Sequence, residues 1–386
     1  EKFRLTETGL HRPKIVNAVG ETGRRFRQLV KGEDDIRQDA VMQQVFATVN
    51  RLLKGDERAG HLLHVCTYSV VPLSPTSGVL EWVLNTEPFG DFLLDKRGGR
   101  GSEAVGAHSR YYPGDWGNSL CRTHFKNASP SGKLAAFEEI CRRFNPAFRF
   151  FFLERFSHGV SAWHAAKMNF SRSCAASSIV GHILGIGDRH THNILISNKT
   201  GEVVHIDFGI VFEQGKVLTT PETVPFRLTR DMVDGMGVCG VEGVFTLSCN
   251  DVLRVLRDNK DTLLTILDVM TNDPLYKFLV SPVQKKKAQK DGGDDDGDET
   301  EEAEGSAMDA HDTLGHTLPD SEGAGAEDDD NEAARRALAK IGSKLRGYEE
   351  NTPESLSVEG QVQLLIAEAR SMENLSRLYF GWSPWT

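Results

Sequence analysis

In GDRHTHNILI (residues 187–196) and HIDFG (205–209), a carboxylate, an amide and a second carboxylate stand at spacings that phosphoryl transfer requires. That reaction needs a group to position the attacking hydroxyl, hard oxygen ligands for a divalent cation, and positive charge for the phosphates. Asp188 and Asn193 have the D-x₄-N spacing of a phosphotransfer loop, with Asp188 placed to orient or deprotonate the hydroxyl. Asn193 and Asp207 offer the oxygen ligands that Mg²⁺ prefers, with Mn²⁺ as a possible substitute. His190 is a candidate donor to the moving phosphoryl group. Between the two halves, ILIS–NKTG–EVVHI (194–206) reads as a hairpin. An isolated DFG tripeptide is weak, but two halves joined by so short a hairpin are not an accidental pairing. A zinc site built from His190, His192 and His205 is an alternative, and it leaves Lys31, Asn193 and Asp207 without a role.

Upstream, LVKGEDDIRQDAVMQQVF (29–46) places Lys31 at a strand end, where a compact cation can reach the phosphates of ATP, with Asp34 or Asp39 as the carboxylate that holds it. Ile15, Val16 and Val19, the turn GETG (20–23) and Phe26, Leu29 and Val30 predict a hairpin over 15–31. Val41, Val45, Val49 and Leu52 mark one face of a helix ended by Gly55. VCTYSVVPL (65–73) and GVLEWV (78–83) read as strands. In the second run, backbone groups at Glu81 and Val83, with Trp82 as an apolar wall, are candidates for the adenine site. LTETGLHRPK (5–14) is the nearest candidate for a phosphate-covering loop, although it is not glycine-rich.

Beyond Glu87 long helical patterns take over, among them LAAFEEICRRF (134–144) and MNFSRSCAASSIVGHILGIG (168–187). The expected architecture is α+β and bilobal: a strand-rich lobe and hinge over 1–86, a helical lobe with the catalytic and activation loops over 87–280, and a ligand cleft between such lobes. An acidic, largely disordered regulatory linker is expected over 281–353, and a helical segment over 354–386, where Val358, Val362, Leu365 and Ala369 mark a helix face.

The formal charge of −10 is unevenly spread. Residues 291–330 hold seventeen Asp and Glu and no Lys or Arg, leaving 38 acids against 45 bases elsewhere. The six cysteines are far apart, without a CxxC pair, which suits reduced thiols in a nuclear or cytosolic protein. No apolar run approaches the length needed to span a bilayer, and no membrane association is expected. Tyr379, Phe380, Trp382 and Trp385 are expected to pack on the helical lobe rather than dip into a lipid surface.

With VKGEDDIRQDAVMQQVF, VVPLSPTSGVLEW, GDRHTHNILI, HIDFGIVFEQGK and TPETVPFRLTRDMVDGMGVCGVEGVF, the chain resembles the phosphatidylinositol 3-kinase-related protein kinases over nearly all of 1–280. LSVEGQVQLLIAEARSMENLSRLYFGWSPWT resembles their FATC segment. The order DRHxxN, with His190 after the aspartate, is a feature of this branch. The resemblance implies a bilobal kinase of the phosphatidylinositol 3-kinase type that uses ATP and phosphorylates protein substrates at Ser or Thr followed by Gln. It also implies a nuclear role in double-strand-break signalling and at telomeres. A homodimer and contact with a break-sensor complex of the MRN type are expected through regions outside this sequence. A lipid kinase would be expected to carry a basic activation loop, whereas IVFEQGKVLTTPETV has two acids and one base. An inactive relative would lack one of Lys31, Asp188, Asn193 or Asp207. The activation segment, Asp207 to about Arg230, has no Arg and Ser/Thr cluster suited to a phosphate switch, so control is expected from neighbouring segments.

Overall fold

The computed structural model describes residues 4–5, 13–32, 35–95, 105–271, 326–350 and 352–386. Two compact units are present. The first draws on Glu1–Val45, Thr67–Leu84 and Leu264–Lys340, the second on Phe46–Cys66, Asn85–Leu263 and Ile341–Thr386. A boundary between the units falls at Leu84/Asn85, close to the end of the range 1–86. Each unit also takes up segments from both sides of that point.

The first unit holds an antiparallel sheet of β1 (Arg4–Leu5), β2 (Lys14–Val19), β3 (Arg25–Gly32), β4 (Val70–Ser74) and β5 (Ser77–Glu81), in the order β1-β2-β3-β5-β4. Its register sets Lys31 opposite Gly78 and Leu29 opposite Leu80. A Cβ on Gly78 would lie 2.1 Å from Ile36 Cδ1, so only glycine admits the fully buried Ile36. Ile36 immediately precedes α1 (Arg37–Gly55), and this contact therefore fixes the start of the helix that carries Asp39.

Along α1 the buried face is Val41, Met42, Val45, Phe46, Val49 and Leu53; Leu52 is only half-buried, one position off the expected face. The expected strand over 65–73 begins only at Val70. Side chains of α1 satisfy the preceding backbone instead: Asn50 donates to Val65 O and accepts from Val65 N–H, both at 2.8 Å, and Gln43 Oε1 accepts from Tyr68 N–H at 3.0 Å. A backbone served by side chains needs no neighbouring strand.

The second unit has a small sheet, β6 (Thr86–Pro88), β7 (Ile194–Ser197) and β8 (Val203–His205), ordered β6-β7-β8. Its helices are α2 (Phe89–Leu93), α3 (Ala107–Tyr111), α4 (Asn118–Asn127), α5 (Lys133–Arg143), α6 (Arg149–Arg155), α7 (Val160–Leu184), α8 (Arg230–Met236) and α9 (Val244–Asp258), with the start of α10 (Lys260–Thr271). From Ser173 to Leu184 every residue of α7 is buried, as befits a central helix packed against α8, α9 and β8. Ser173 Oγ accepts from Val203 N–H at 2.9 Å, which ties the β7–β8 hairpin to this helix. The fully buried Asp231 carboxylate accepts from Ala147 and Phe148 N–H at 2.6 and 3.1 Å and lies 3.0 Å from His108 Nε2.

Helix α11 (Ala326–Leu345) falls within the stretch 281–353 expected to be largely disordered. Its apolar Ala334, Ile341 and Leu345 are buried, and from Ile341 onward it belongs to the second unit. Composition misleads here because the acids cluster at the start of the helix and the apolar residues follow them. The run 291–325 lies outside the described residues. After α11, Ser357 caps α12 (Val358–Arg370) by accepting from Gly360 N–H, and Val362, Leu365 and Ala369 are fully buried in a helix packed on α9.

The aromatic end of the chain packs as expected. Trp385 is fully buried, its ring edge-on to Phe125 at 5.6 Å, and its Nε1 donates to Asn118 Oδ1 at 3.0 Å. Among the described residues no helix is long and apolar enough to cross a membrane. Trp385→Ala should therefore cost about 3–5 kcal/mol of stability, read as accelerated hydrogen exchange in residues 118–127 and a lowered Tm. Wild-type exchange there would contradict the packing.

Candidate active site

Helix α7 ends at Gly185, whose left-handed φ of 62° lets its N–H turn back to Gly181 O and His182 O. The chain then runs through 186–193 as an irregular loop zipped to the segment after β8. Gly187 N–H donates to Ile210 O at 2.9 Å, Ile206 N–H to Asn193 O at 3.1 Å, and Phe212 N–H to Leu184 O at 3.0 Å. Arg189 locks the two together. Almost wholly buried, it donates from Nε to Gly187 O at 2.8 Å, from Nη1 to Ile206 O at 2.8 Å and Asn193 O at 3.4 Å, and from Nη2 to Asp207 O. Its guanidinium carbon also lies 5.4 Å from the ring centroid of Phe208, which in turn meets Phe46 of α1 edge-on at 5.2 Å.

Within this frame Asp188 and Asp207 both adopt left-handed backbone, φ 52° and 60°, a conformation that costs a non-glycine residue free energy and persists only where surroundings enforce it. Asp188 is held from both sides: its N–H donates to Glu222 Oε1 at 2.7 Å, and its carbonyl accepts from Asn193 Nδ2 at 2.9 Å. That second bond fixes the Asn193 amide, turning Oδ1 away from the loop carbonyl. The Asn193 oxygen and the Asp207 carboxylate are a hard-oxygen donor pair suited to Mg²⁺ rather than to a soft metal.

His190 Nδ1 accepts from His192 N–H at 3.1 Å, which leaves the ring proton on Nε2. Burial, with His192 and Arg189 beside it, pushes His190 down to about 3, so the imidazole is neutral and a hydrogen-bond donor at physiological pH. Glu222 behaves oppositely. Desolvation and the Asp188 carboxylate push it up to about 7. It fits there because Gly187 has no side chain: a Cβ would stand 2.7 Å from Glu222 Oε2.

The activation segment is braced by other parts of the same unit. Lys344, at the end of α11, donates to His182 O at 2.5 Å and pairs with Glu213. Lys216 pairs with Glu213 at 2.7 Å and Glu350 at 2.9 Å. Although burial opposes it, the two lysines hold Glu213 below the usual carboxylate range. Arg227 joins the catalytic loop to the aromatic segment. Its Nη1 donates to Arg189 O at 3.3 Å and Trp382 O at 2.7 Å, and its Nη2 to Ser383 O and Thr386 O, both at 3.0 Å. Thr223 Oγ1 donates to Asn374 O at 2.7 Å on the same side.

Of the residues expected from sequence, Asp188, His190, Asn193 and Asp207 come together in the second unit. Lys31, Asp39 and the stretch 81–83 lie in the first, with Asp39 buried in the first turn of α1. Asp34 and most of the loop 5–14 lie outside the described residues. The stretch 81–83 differs in detail from expectation: Glu81 N–H donates to Ser69 O at 2.8 Å and Trp82 N–H to Arg27 O at 3.1 Å, so the sheet already holds both amides. The Trp82 ring lies under the Arg27 guanidinium, 4.2 Å away. Sequence reasoning missed Arg189, Glu222 and Arg227 as parts of the site. Each stands inside a stretch singled out for other reasons, but only the folded loop shows what it touches.

The family model of phosphatidylinositol 3- and 4-kinases matches residues 25–280, and that of the FATC domain matches 355–386. The chain is 44% identical over 388 residues to the serine-protein kinase ATM of Sus scrofa, covering 100% of this chain and 12% of that protein. It is 44% identical over 379 residues to the serine/threonine-protein kinase ATM of Arabidopsis thaliana, 98% of this chain and 9% of the other. Against the serine/threonine-protein kinase tel1 of Schizosaccharomyces pombe it is 39% identical over 386 residues, 97% of this chain and 13% of the other. The chain thus spans roughly a tenth of the length of these relatives. Among solved structures, the FAT and kinase domain of CtTel1 superimposes with a TM-score of 0.78 at 38% identity, covering 100% of this chain and 23% of that one. The Tel1 kinase butterfly symmetric dimer gives 0.73 at 36% identity, with 99% and 14% covered. The chain belongs to the phosphatidylinositol 3- and 4-kinase family, joined to a FATC domain, and it is similar throughout to ATM and Tel1 kinases.

Proposed function

We propose that this chain is the phosphotransferase region of a serine/threonine protein kinase that moves the γ-phosphate of ATP to a Ser or Thr followed by Gln. The observation that carries this reading is the loop in which Arg189 binds Asp207 O while Asn193 binds Asp188 O, fixing the three acting side chains on one rigid frame. Asp188 accepts the proton of, or orients, the attacking hydroxyl. Neutral His190 offers its Nε2–H to oxygen on the transferring phosphoryl group. Asn193 Oδ1 and the Asp207 carboxylate would hold Mg²⁺, or Mn²⁺ in its place. A bound divalent cation there supplies charge neutralisation for the phosphates. Lys31 gives the phosphates a further cation, and the 81–83 stretch supports adenine, Val83 through its backbone and Trp82 as a wall.

The preference for Ser/Thr-Gln, the place in double-strand-break signalling and telomere maintenance, and a nuclear location rest on similarity to ATM and Tel1 kinases. Two solved Tel1 structures are described as symmetric dimers, which supports homodimerisation of the whole protein through regions outside this chain. Recruitment by a break-sensor complex of the MRN type is part of the same reading.

Asp207→Ala should lower kcat at least a thousandfold, about 4 kcal/mol of transition-state stabilisation, with unchanged Tm. Paired peptides bearing Ser-Gln or Ser-Ala check chemistry and specificity together. Transfer to both peptides alike would overturn the specificity, and near-normal turnover by the variant would overturn the site.

Glu222 gives a pH test. Its folded pKa of about 7 lies above the ordinary 4.5, so the native state binds a proton that the unfolded chain does not between those values. The stability it contributes is present below pH 4.5 and is lost as pH rises through 7. Glu222→Gln keeps an acceptor for Asp188 N–H without titrating. The Tm of wild type should therefore fall relative to the variant between pH 5 and 8, by at most about 3 kcal/mol in stability. A constant difference across that range would contradict the shifted carboxyl.

A further inference from the structure

Away from the phosphotransfer loop, three chemically different side chains converge on one point of the second unit. His64 and Cys66 lie on the segment after α1, and Glu202 lies at the turn into β8. The His64 Nε2 is 3.9 Å from Cys66 Sγ and 3.1 Å from Glu202 Oε1, and all three ligand atoms fall within 4.8 Å of one another. For a tetrahedral zinc ion, bond lengths of about 2.0–2.3 Å imply ligand separations of about 3.3 Å between N and O and about 3.6 Å between N and S. The two spacings from His64 Nε2 lie within a few tenths of an ångström of these values, and the sulfur and the carboxylate oxygen, within 4.8 Å of each other, draw together on an ion.

Two further observations point the same way. Glu202 is already oriented, because its second oxygen accepts from Thr200 Oγ1 at 2.7 Å, as the outer partner of a metal carboxylate does. Two of the three, His64 and Glu202, also line a cavity of about 180 Å³, together with His61, Leu62, Asn169, Arg172 and Ser173, which has room for a solvent ligand at a fourth position. Thiolate, imidazole and carboxylate together favour a borderline-soft cation over Mg²⁺ or Ca²⁺.

We propose that His64, Cys66 and Glu202 form a zinc site with one coordination position open to this cavity. On binding, Cys66 gives its thiol proton to water and its sulfur becomes a thiolate ligand. The ion then clips the connection after α1 to the β7–β8 hairpin, whose first strand begins immediately after Asn193. None of the three ligands belongs to the phosphotransfer machinery.

The test uses the intact kinase. Zinc is measured per chain by elemental mass spectrometry for wild type, Cys66→Ser, His64→Ala and Glu202→Gln. In parallel, the alkylation rate of Cys66 is followed by peptide mass spectrometry with and without added Zn²⁺, for wild type and Glu202→Gln. The expected result is one zinc fewer per chain in each variant, at least tenfold protection of Cys66 by Zn²⁺ in wild type, and weaker protection in Glu202→Gln. Equal zinc content in wild type and variants, or a Cys66 alkylation rate that Zn²⁺ does not change, would overturn the site and leave a hydrogen-bonded polar cluster. Should Cys66→Ser fail to fold, the alkylation comparison decides alone.

Discussion

The buried guanidinium of Arg189 is the constraint on which the candidate site depends. Its donors reach Gly187 O, Asn193 O, Ile206 O and Asp207 O, so one side chain spans the catalytic loop and the segment that carries the second carboxylate. A hydrogen bond from a charged donor contributes about 1.5–3 kcal/mol, roughly twice a neutral one, and planar guanidinium geometry makes several such bonds simultaneous. These bonds offset the cost of the left-handed backbone of Asp188 and Asp207. Strain and clamp therefore belong to one arrangement: the backbone turns that aim the two carboxylates exist because a cation holds the carbonyls between them.

The clamp is extended by a second arginine. Arg227 accepts no role in chemistry, yet it donates to Arg189 O and to the carbonyls of Trp382, Ser383 and Thr386. Through it the FATC segment becomes a wall of the catalytic loop. The activation segment is treated likewise, with Glu213 between Lys344 and Lys216 and Glu222 against Gly187. A fold with few sheet contacts around its loops positions them by charged side chains on backbone carbonyls. This accounts for an activation segment with no cluster suited to a phosphate: its order comes from α11 and from the residues after it.

Much of this was legible in the sequence because it rests on local chemistry. The D-x₄-N spacing, the DFG after a hairpin, the Gly55 end of α1 and the apolar face of α1 through Val41, Val45 and Val49 are short-range patterns, and each appears where the pattern puts it. What was not legible depends on distant partners. The stretch 65–69 reads as a strand, but Asn50 and Gln43 of α1 satisfy its backbone. The helix after the acidic run reads as linker until Ile341 and Leu345 find a surface on which to bury. Arg189, Arg227 and Glu222 were in plain view, and their roles were not, because a charged residue in an irregular loop carries no periodic signal of what it touches.

The claim that Arg189 holds the catalytic frame is tested most directly by Arg189→Lys. Lysine keeps the charge but cannot place separate donors on four carbonyls. The expected result is a fall in kcat of ten- to a hundredfold, with KM for ATP little changed, and faster hydrogen exchange in residues 186–193 and 205–210. Wild-type kcat with wild-type exchange in those residues would contradict it.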